Sequence, residues 1–207
     1  MLFRSKGAGK MAEILFQGHG SFRVTAGDGT VIYIDPYAGE GYDIPADMIL
    51  VSHEHSDHNQ VDLVTRKAGG RILRAGDFLK EGVYREIAQK GIVIRGVQAY
   101  NKNHPRSSCV GFLMYADGKK LYFAGDTSRT EAMEKELAAE HIDYAFLPID
   151  GIYNMGPAEA SACAGLIRAR HTIPVHMAPG KLFDQTAAEQ FEAEGRIILR
   201  PGEKICW

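Results

Sequence analysis

Hydrophobic and polar positions change their period partway along the chain. Residues 12–17, 21–26 and 30–34 are short runs rich in Ile, Val, Phe and Tyr, separated by Gly18-His19-Gly20 and Gly27-Asp28-Gly29. β-Branched and aromatic runs between glycine-bearing breaks predict strands joined by tight turns, and Asp28-Gly29 is a hairpin pair. Asp35-Pro36 ends the third strand, because proline cannot donate to a ladder. The apolar run at 48–51 predicts a fourth strand. Residues 59–67 read as a short helix closed by Gly69-Gly70, and 71–74, 92–95 and 97–100 as further strands, with 78–88 less certain. Residues 110–116 and 119–124 form a second hairpin around Asp117-Gly118.

Past residue 130 the spacing turns helical. Residues 130–139 are rich in Ala, Glu, Met and Leu, with Thr130 as N-cap, and 157–168 carry Pro157 in the first turn. A third helix is predicted at 184–193. Strands at 144–147, 172–175, 196–199 and 204–207 alternate with these helices. The period alone supports an α/β or α+β class and no finer architecture.

The 207 residues, 45% hydrophobic, suffice for one full core, so a single domain is expected over 11–207, with 1–10 a flexible basic leader. A net charge of -2 provides no global basic field, which weighs against nucleic acid as the main partner. Cys109, Cys163 and Cys206 form no Cys-x-x-Cys pair and suggest neither a disulfide framework nor a thiolate zinc cage, as expected in the cytoplasm. No run approaches the ~18 to 20 apolar residues of a membrane helix.

The chemistry concentrates in His53-Glu54-His55-Ser56-Asp57-His58, entered directly from the 48–51 strand. His53 and His55, two apart, leave the same side of an open chain and can grip one ion. Asp57 and His58 are adjacent and diverge, which suits a second ion. Exposed imidazoles in a polar turn are the bland alternative, and the density of metal-competent side chains argues against it. Asp126 follows the apolar run Leu121-Tyr122-Phe123-Ala124 and a glycine, and a carboxylate can bridge two cations. His176 similarly follows Thr172-Ile173-Pro174-Val175, whereas His104 lies in a loop with no strand to aim it.

The stretch from His53 to His58 resembles the His-x-His-x-Asp-His signature of the metallo-β-lactamase superfamily at every position. Gly125-Asp126-Thr127 is similar to that family's bridging-aspartate motif, and Ile173-Pro174-Val175-His176 to its last-ligand motif. Gly18-His19-Gly20-Ser21, Asp35-Pro36 and Gly151 to Met155 look like segments of its small lactonase-like branch. The resemblance implies a four-layer αββα sandwich of two mixed sheets with metals at one edge between them. It implies His53, His55 and His104 on one ion, Asp57, His58 and His176 on the other, and Asp126 bridging. His19 and Asp35 would lie beside the ligands or face substrate. Asp150 before Gly151 and Met177 after the last histidine depart from the branch's usual small and aromatic residues, which leaves specificity open.

Two divalent ions follow from this reading, zinc first, with manganese or iron compatible with an all-nitrogen-and-oxygen ligand set. The expected activity is hydrolysis of a lactone, ester or phosphoester of a small molecule by a metal-bridging hydroxide, with Asp57 taking the nucleophile's proton. Lys102, Arg106 and Lys181 flank His104 and His176 in sequence and could meet an anionic substrate group, although loop cations are ordinary. The alternatives are a phosphodiesterase or ribonuclease of the same superfamily, a mononuclear iron oxygenase, and a non-catalytic metal-binding protein.

Overall fold

The computed structural model describes residues 10–207; the expectation of a flexible leader therefore falls almost wholly outside the described residues. The first half builds β1 (Glu13–Gly18), β2 (Ser21–Thr25), β3 (Val31–Ile34), β4 (Ala46–Val51) and β5 (Arg66–Arg74). A short α1 (Ala75–Phe78) leads to the ribbon β6 (Leu79–Lys80) and β7 (Val83–Tyr84), then to β8 (Glu86–Gln89) and β9 (Ile92–Gln98). The hairpin β10 (Val110–Ala116) and β11 (Lys119–Phe123) follows. The second half alternates α2 (Glu131–Lys135), β12 (Tyr144–Pro148), α3 (Pro157–Ile167), β13 (His171–Val175), α4 (Gln185–Gln190) and β14 (Lys204–Cys206).

These strands form two six-stranded mixed sheets, ordered β14-β1-β2-β3-β4-β5 and β13-β12-β11-β10-β9-β8. Alternation sets the faces. Ile14, Phe16, Phe22, Val24, Ile32, Ile34, Met48 and Leu50 of the first sheet meet Phe112, Met114, Leu121, Phe123 and Phe146 of the second in one buried layer. The opposite face of the second sheet, with Tyr122, Ala145 and Leu147, packs under the helices through Met133, Leu137, Cys163 and Ile167. The outer face of the first sheet is covered differently: Tyr33, Ile49 and Val51 pack with Tyr42, Ile44, Val61 and Val64 from connecting segments. This is the metallo-β-lactamase fold, with mixed sheets flanked by few helices.

Several local expectations need correction. Residues 59–67 form only a 3-10 turn, Val61–Leu63, before β5 begins at Arg66. Gly69 and Gly70 lie inside β5 as an irregularity, where the pairing jumps from Ala46↔Arg66 to Met48↔Arg71. Gly69 is left-handed (φ +78), and a Cβ on Gly70 would stand 2.7 Å from the Ala46 carbonyl oxygen. The glycine pair read as a helix stop is thus a bulge. The strands predicted at 92–95 and 97–100 fuse into β9; Gly96 joins them because a Cβ there would lie 2.8 Å from Phe78 Cβ. The helix at 130–139 breaks at Glu136 into α2 and a 3-10 turn at Leu137–Glu140. Residues 196–199 contribute a single bridge, Thr172↔Arg196, and no strand. The three cysteines are unpaired, and among the described residues no helix is long and apolar enough to cross a membrane.

Candidate metal centre

Four strands end at one edge of the sandwich and release polar side chains there. β4 stops at Val51 and continues into Ser52 and His53; β11 stops at Phe123, three residues before Asp126; β12 stops at Pro148, two before Asp150; β13 stops at Val175, directly before His176. In parallel sheets, the carboxyl ends of strands are where loops gather functional groups. Gly125 (φ +65) allows the close approach that turns Asp126 inward, since a Cβ there would be 3.0 Å from the Val110 carbonyl oxygen. His19, Asp35 and His176 adopt left-handed φ of 56°, 45° and 45°. Such backbone is costly for non-glycine residues and persists where the surroundings hold it.

One group of imidazoles comprises His53, His55 and His104. His53 Nε2 lies 3.1 Å from His55 Nδ1, which in turn lies 3.2 Å from His104 Nε2. A second group comprises His19, Asp57, His58 and His176. Asp57 Oδ2 is 3.2 Å from His19 Nε2 and 3.6 Å from His176 Nε2. Asp126 stands between the groups. Its Oδ1 is 3.2 Å from His58 Nε2, and its Oδ2 is 3.3 Å from His104 Nε2 and 3.4 Å from His176 Nε2.

The outward hydrogen bonds define which nitrogens are bare. His104 Nδ1–H donates to Asn101 Oδ1 (2.9 Å) and His19 Nδ1–H to the Lys181 carbonyl (2.9 Å), partners that can only accept. His58 Nδ1–H donates to Asp35 Oδ2 (3.0 Å). Ser52 Oγ gives its own proton to Asp35 Oδ2 (2.6 Å), so it accepts from His53 Nδ1–H (3.0 Å). His176 Nδ1 is 3.0 Å from Asp150 Oδ2. In the neutral form that holding a cation requires, these bonds leave the Nε2 lone pairs of His53, His58 and His104 facing carboxylate oxygens and one another. His58 Nε2, both ring nitrogens of His176 and Asp126 Oδ1 are buried without a hydrogen-bond partner. Acceptors converging on acceptors in a buried space fit cations between them.

The electrostatics agree. Burial, reinforced by the neighbouring His58, pushes the His53 pKa down to about 2; burial also lowers His104. Burial would do the same to His176, yet Asp126, Asp150 and Asp57 raise it to about 9. Against the same burial, Asp126 and Asp35 hold His58 well above the ordinary range. Burial opposes ionisation of Asp126 and Asp57, but surrounding imidazoles keep both carboxyl groups below the usual carboxylate range. Protons on His58 and His176 thus answer the negative charge of four carboxylates, a role that bound cations can take over.

The other residues singled out in the sequence lie as follows. Asp35 is buried and faces Ser52 and His58, not the cleft. His19 is buried and reaches Asp57 directly. Lys102 is exposed, Arg106 stacks over the Tyr100 ring (5.3 Å) and Lys181 pairs with Asp184 (2.9 Å). None of these three lines the cleft of about 350 Å3 over the site, whose walls include Tyr37, Ser56, Asn103, Tyr153 and Pro179. His171 stacks on Tyr144, and His141 caps the Leu137–Glu140 turn, both away from the centre.

Sequence reasoning passed over Ser52, Asn101 and Asp150 as orienting partners. Asp150 was within reach: it follows an apolar strand as Asp126 does. Its carboxylate also accepts from the backbone N–H of Ile152, Tyr153 and Asn154, fixing the loop that carries Tyr153 into the cleft wall. Asn101 had no such signal, because only the fold brings its side chain amide to the Tyr153 carbonyl (2.9 Å).

The chain is similar to known proteins along most of its length. Residues 13–176 match the model of the beta-lactamase superfamily domain. A metal-dependent hydrolase of Thermococcus onnurineus is 30% identical, over 93% of this chain and 98% of the relative. A metallo hydrolase from Ignicoccus hospitalis superposes with a TM-score of 0.73 at 22% identity, covering 96% of this chain and 99% of that one. A structure from Parabacteroides distasonis, suggested by its describers to be a metal-dependent hydrolase, superposes with a TM-score of 0.72 at 27% identity, over 92% and 97% of the two chains.

Proposed function

Because the chain belongs to the beta-lactamase superfamily and is a metal-dependent hydrolase, we propose that it holds two divalent ions, zinc first, and hydrolyses a lactone or ester of a small molecule. The observation that carries the dinuclear reading is Asp126, whose two oxygens face imidazole nitrogens of both groups. His53, His55 and His104 would hold one ion, Asp57, His58 and His176 the other, with Asp126 shared. When bound, such ions supply the acidification of water toward neutral pH and the neutralisation of charge on a reacting oxygen.

The chain's own groups do the rest. Asp57 is the least buried of the centre's carboxylates, its side chain 31% exposed, and lines the cleft. His19, fixed by the Lys181 carbonyl, turns its Nε2 to within 3.2 Å of Asp57 Oδ2. Oδ2 is therefore placed to take the proton of an attacking water. Tyr37 and Tyr153 offer aromatic surface beside the centre, and among the described residues no Lys or Arg lines the cleft. That lining supports an uncharged ester or lactone with an apolar portion over a phosphoester, whose extra charge would meet no fixed cation of the chain.

The test is elemental analysis of protein purified without chelator, alongside rates on an aryl ester, a γ-lactone and an aryl phosphodiester. Two metal equivalents, with ester or lactone turnover exceeding phosphodiester turnover, are expected. One equivalent of iron without hydrolysis of any of the three would overturn the reading.

A further inference from the structure

Tyr153 lines the cleft over the centre and is 51% exposed. An exposed tyrosine in a loop is ordinary; the anchoring of its backbone is not. Its N–H donates to Asp150 Oδ1 (2.7 Å), which also accepts from the N–H of Ile152 (2.7 Å) and of Asn154 (3.2 Å). Its C=O accepts from two side-chain amides, Asn101 Nδ2 and Asn103 Nδ2, at 2.9 Å each. Both backbone groups of a surface residue are thus tied by side chains, two of them 52 and 50 residues away in sequence.

The same side chains reach the ligand groups. Asn101 Oδ1 accepts from His104 Nδ1–H (2.9 Å), and Asp150 Oδ2 lies 3.0 Å from His176 Nδ1. One residue therefore separates the Tyr153 backbone from an imidazole of each group. The loop between the anchors is tight: Gly151 is left-handed (φ +68), and its N–H donates to the Met155 carbonyl (3.2 Å). The ordering of this wall is completed in folding, so the ring is presented at a fixed place relative to the ligand imidazoles before any substrate arrives. The neighbouring Ile152, 57% exposed on the same loop, does not line the cleft.

We infer that Tyr153 is the specificity-determining residue of the cleft and selects substrates with an aryl group beside the scissile ester or lactone bond, positioned by Asp150, Asn101 and Asn103. This deepens the hydrolase reading above and rests on it. An aryl group gains from an aromatic wall, by offset or edge-to-face contact, more than the area it buries, and a saturated ring of the same size does not. Tyr37 extends the aromatic lining of the same cleft.

Two ester pairs test this: methyl phenylacetate against methyl cyclohexylacetate, and benzyl acetate against cyclohexylmethyl acetate. They vary the ring on the acyl side and on the alcohol side while leaving the reacting bond alike. In metal-loaded protein kcat/KM should favour the aryl member of at least one pair. Tyr153→Leu should cut that preference ~3- to 10-fold, the worth of an aromatic pair, and Tyr153→Phe should keep it. Ile152→Ala should leave it unaltered. Asn103→Ala should raise KM for the preferred aryl ester ~3-fold, the scale of one hydrogen bond, with kcat and metal content unchanged. An unaltered KM there overturns the positioning role. Phenylacetamide and cyclohexylacetamide, titrated by calorimetry, repeat the comparison without turnover. If no ester is cleaved yet phenylacetamide binds more tightly, and only while residue 153 is aromatic, the hydrolase reading fails and the aryl subsite stands. An aryl preference absent from esters and amides alike, unchanged in Tyr153→Leu, or lost equally in Tyr153→Phe overturns the inference.

Discussion

Asp126 and Asp47 are both aspartates buried to nearly the same degree, 4% and 5% exposed, and both carboxyl groups lie below the ordinary range. Their surroundings differ in kind. Asp47 accepts from the Val31 N–H (2.9 Å) and from the ammonium groups of Lys67 and Lys90 (2.6 Å each). Every partner there carries a proton, so the charge is answered within the chain. Asp126 faces the imidazole nitrogens of His58, His104 and His176, and its Oδ1 has no hydrogen-bond partner. A buried carboxylate among donors holds a fold together, whereas one among acceptors calls for a cation from outside.

The contrast can be broken by experiment. Asp126→Asn should abolish binding of at least one metal equivalent and reduce hydrolysis by more than ~100-fold, the upper end of what losing a ligand's orienting partner costs. Added metal should raise the unfolding midpoint of wild type more than that of Asp126→Asn; an equal rise in both would place Asp126 with Asp47 as a structural group. Asp47→Ala is expected to behave oppositely. It should lower the unfolding free energy by about 1–2 kcal/mol, because the Val31 N–H loses its acceptor while the partly exposed lysines return to water, and kcat/KM at saturating metal should be unchanged.

Acid sharpens the same distinction. Burial opposes ionisation of Asp47, but Lys67 and Lys90 hold its pKa down at about 2, below the ordinary 3.8. The folded pKa is the lower one, so the stabilisation is complete above the unfolded value and is lost as pH falls toward 2. With ~1.4 kcal/mol per pKa unit, wild type should exceed Asp47→Asn in stability by about 2 kcal/mol more at pH 6 than at pH 2, measured by urea unfolding. A pH-independent gap would show that the lysine pairs do not matter.

Smaller effects grade the orienting partners. Asp150→Asn should weaken metal affinity ~10- to 100-fold by equilibrium dialysis, through His176. Lys181→Glu should change KM for an aryl ester and for a phosphodiester by less than ~2-fold each, the range of a salt-screened surface charge. A selective rise for the phosphodiester would restore Lys181 as an anion-binding group and argue for a phosphoester substrate.

Much of this was readable along the chain because it is local. The hairpins at Asp28-Gly29 and Asp117-Gly118, the N-cap Thr130, and the apolar runs of β3, β4, β10, β11, β12 and β13 depend on neighbours a few residues away. The short errors came where a distant contact overrode local preference. Phase in β9 is set by Phe78 over Gly96, and the 69–70 glycines serve the Ala46 carbonyl and not a helix end.

The candidate ligands likewise announced themselves through residue type and position after a strand, since histidines and an aspartate in one six-residue stretch have few other uses. What the sequence determined by itself was the presence of that chemistry and the strands that deliver it. The tertiary structure alone decided the direction of the bare nitrogens of His19, His53, His58 and His104, which depends on the Lys181 carbonyl, Ser52, Asp35 and Asn101. It alone also brought Asn101 and Asn103 to the Tyr153 carbonyl. Hydrogen-bond partners separated by 23 residues (His58 and Asp35) or by 162 (His19 and Lys181) meet only after two sheets have packed, so no local pattern encodes them.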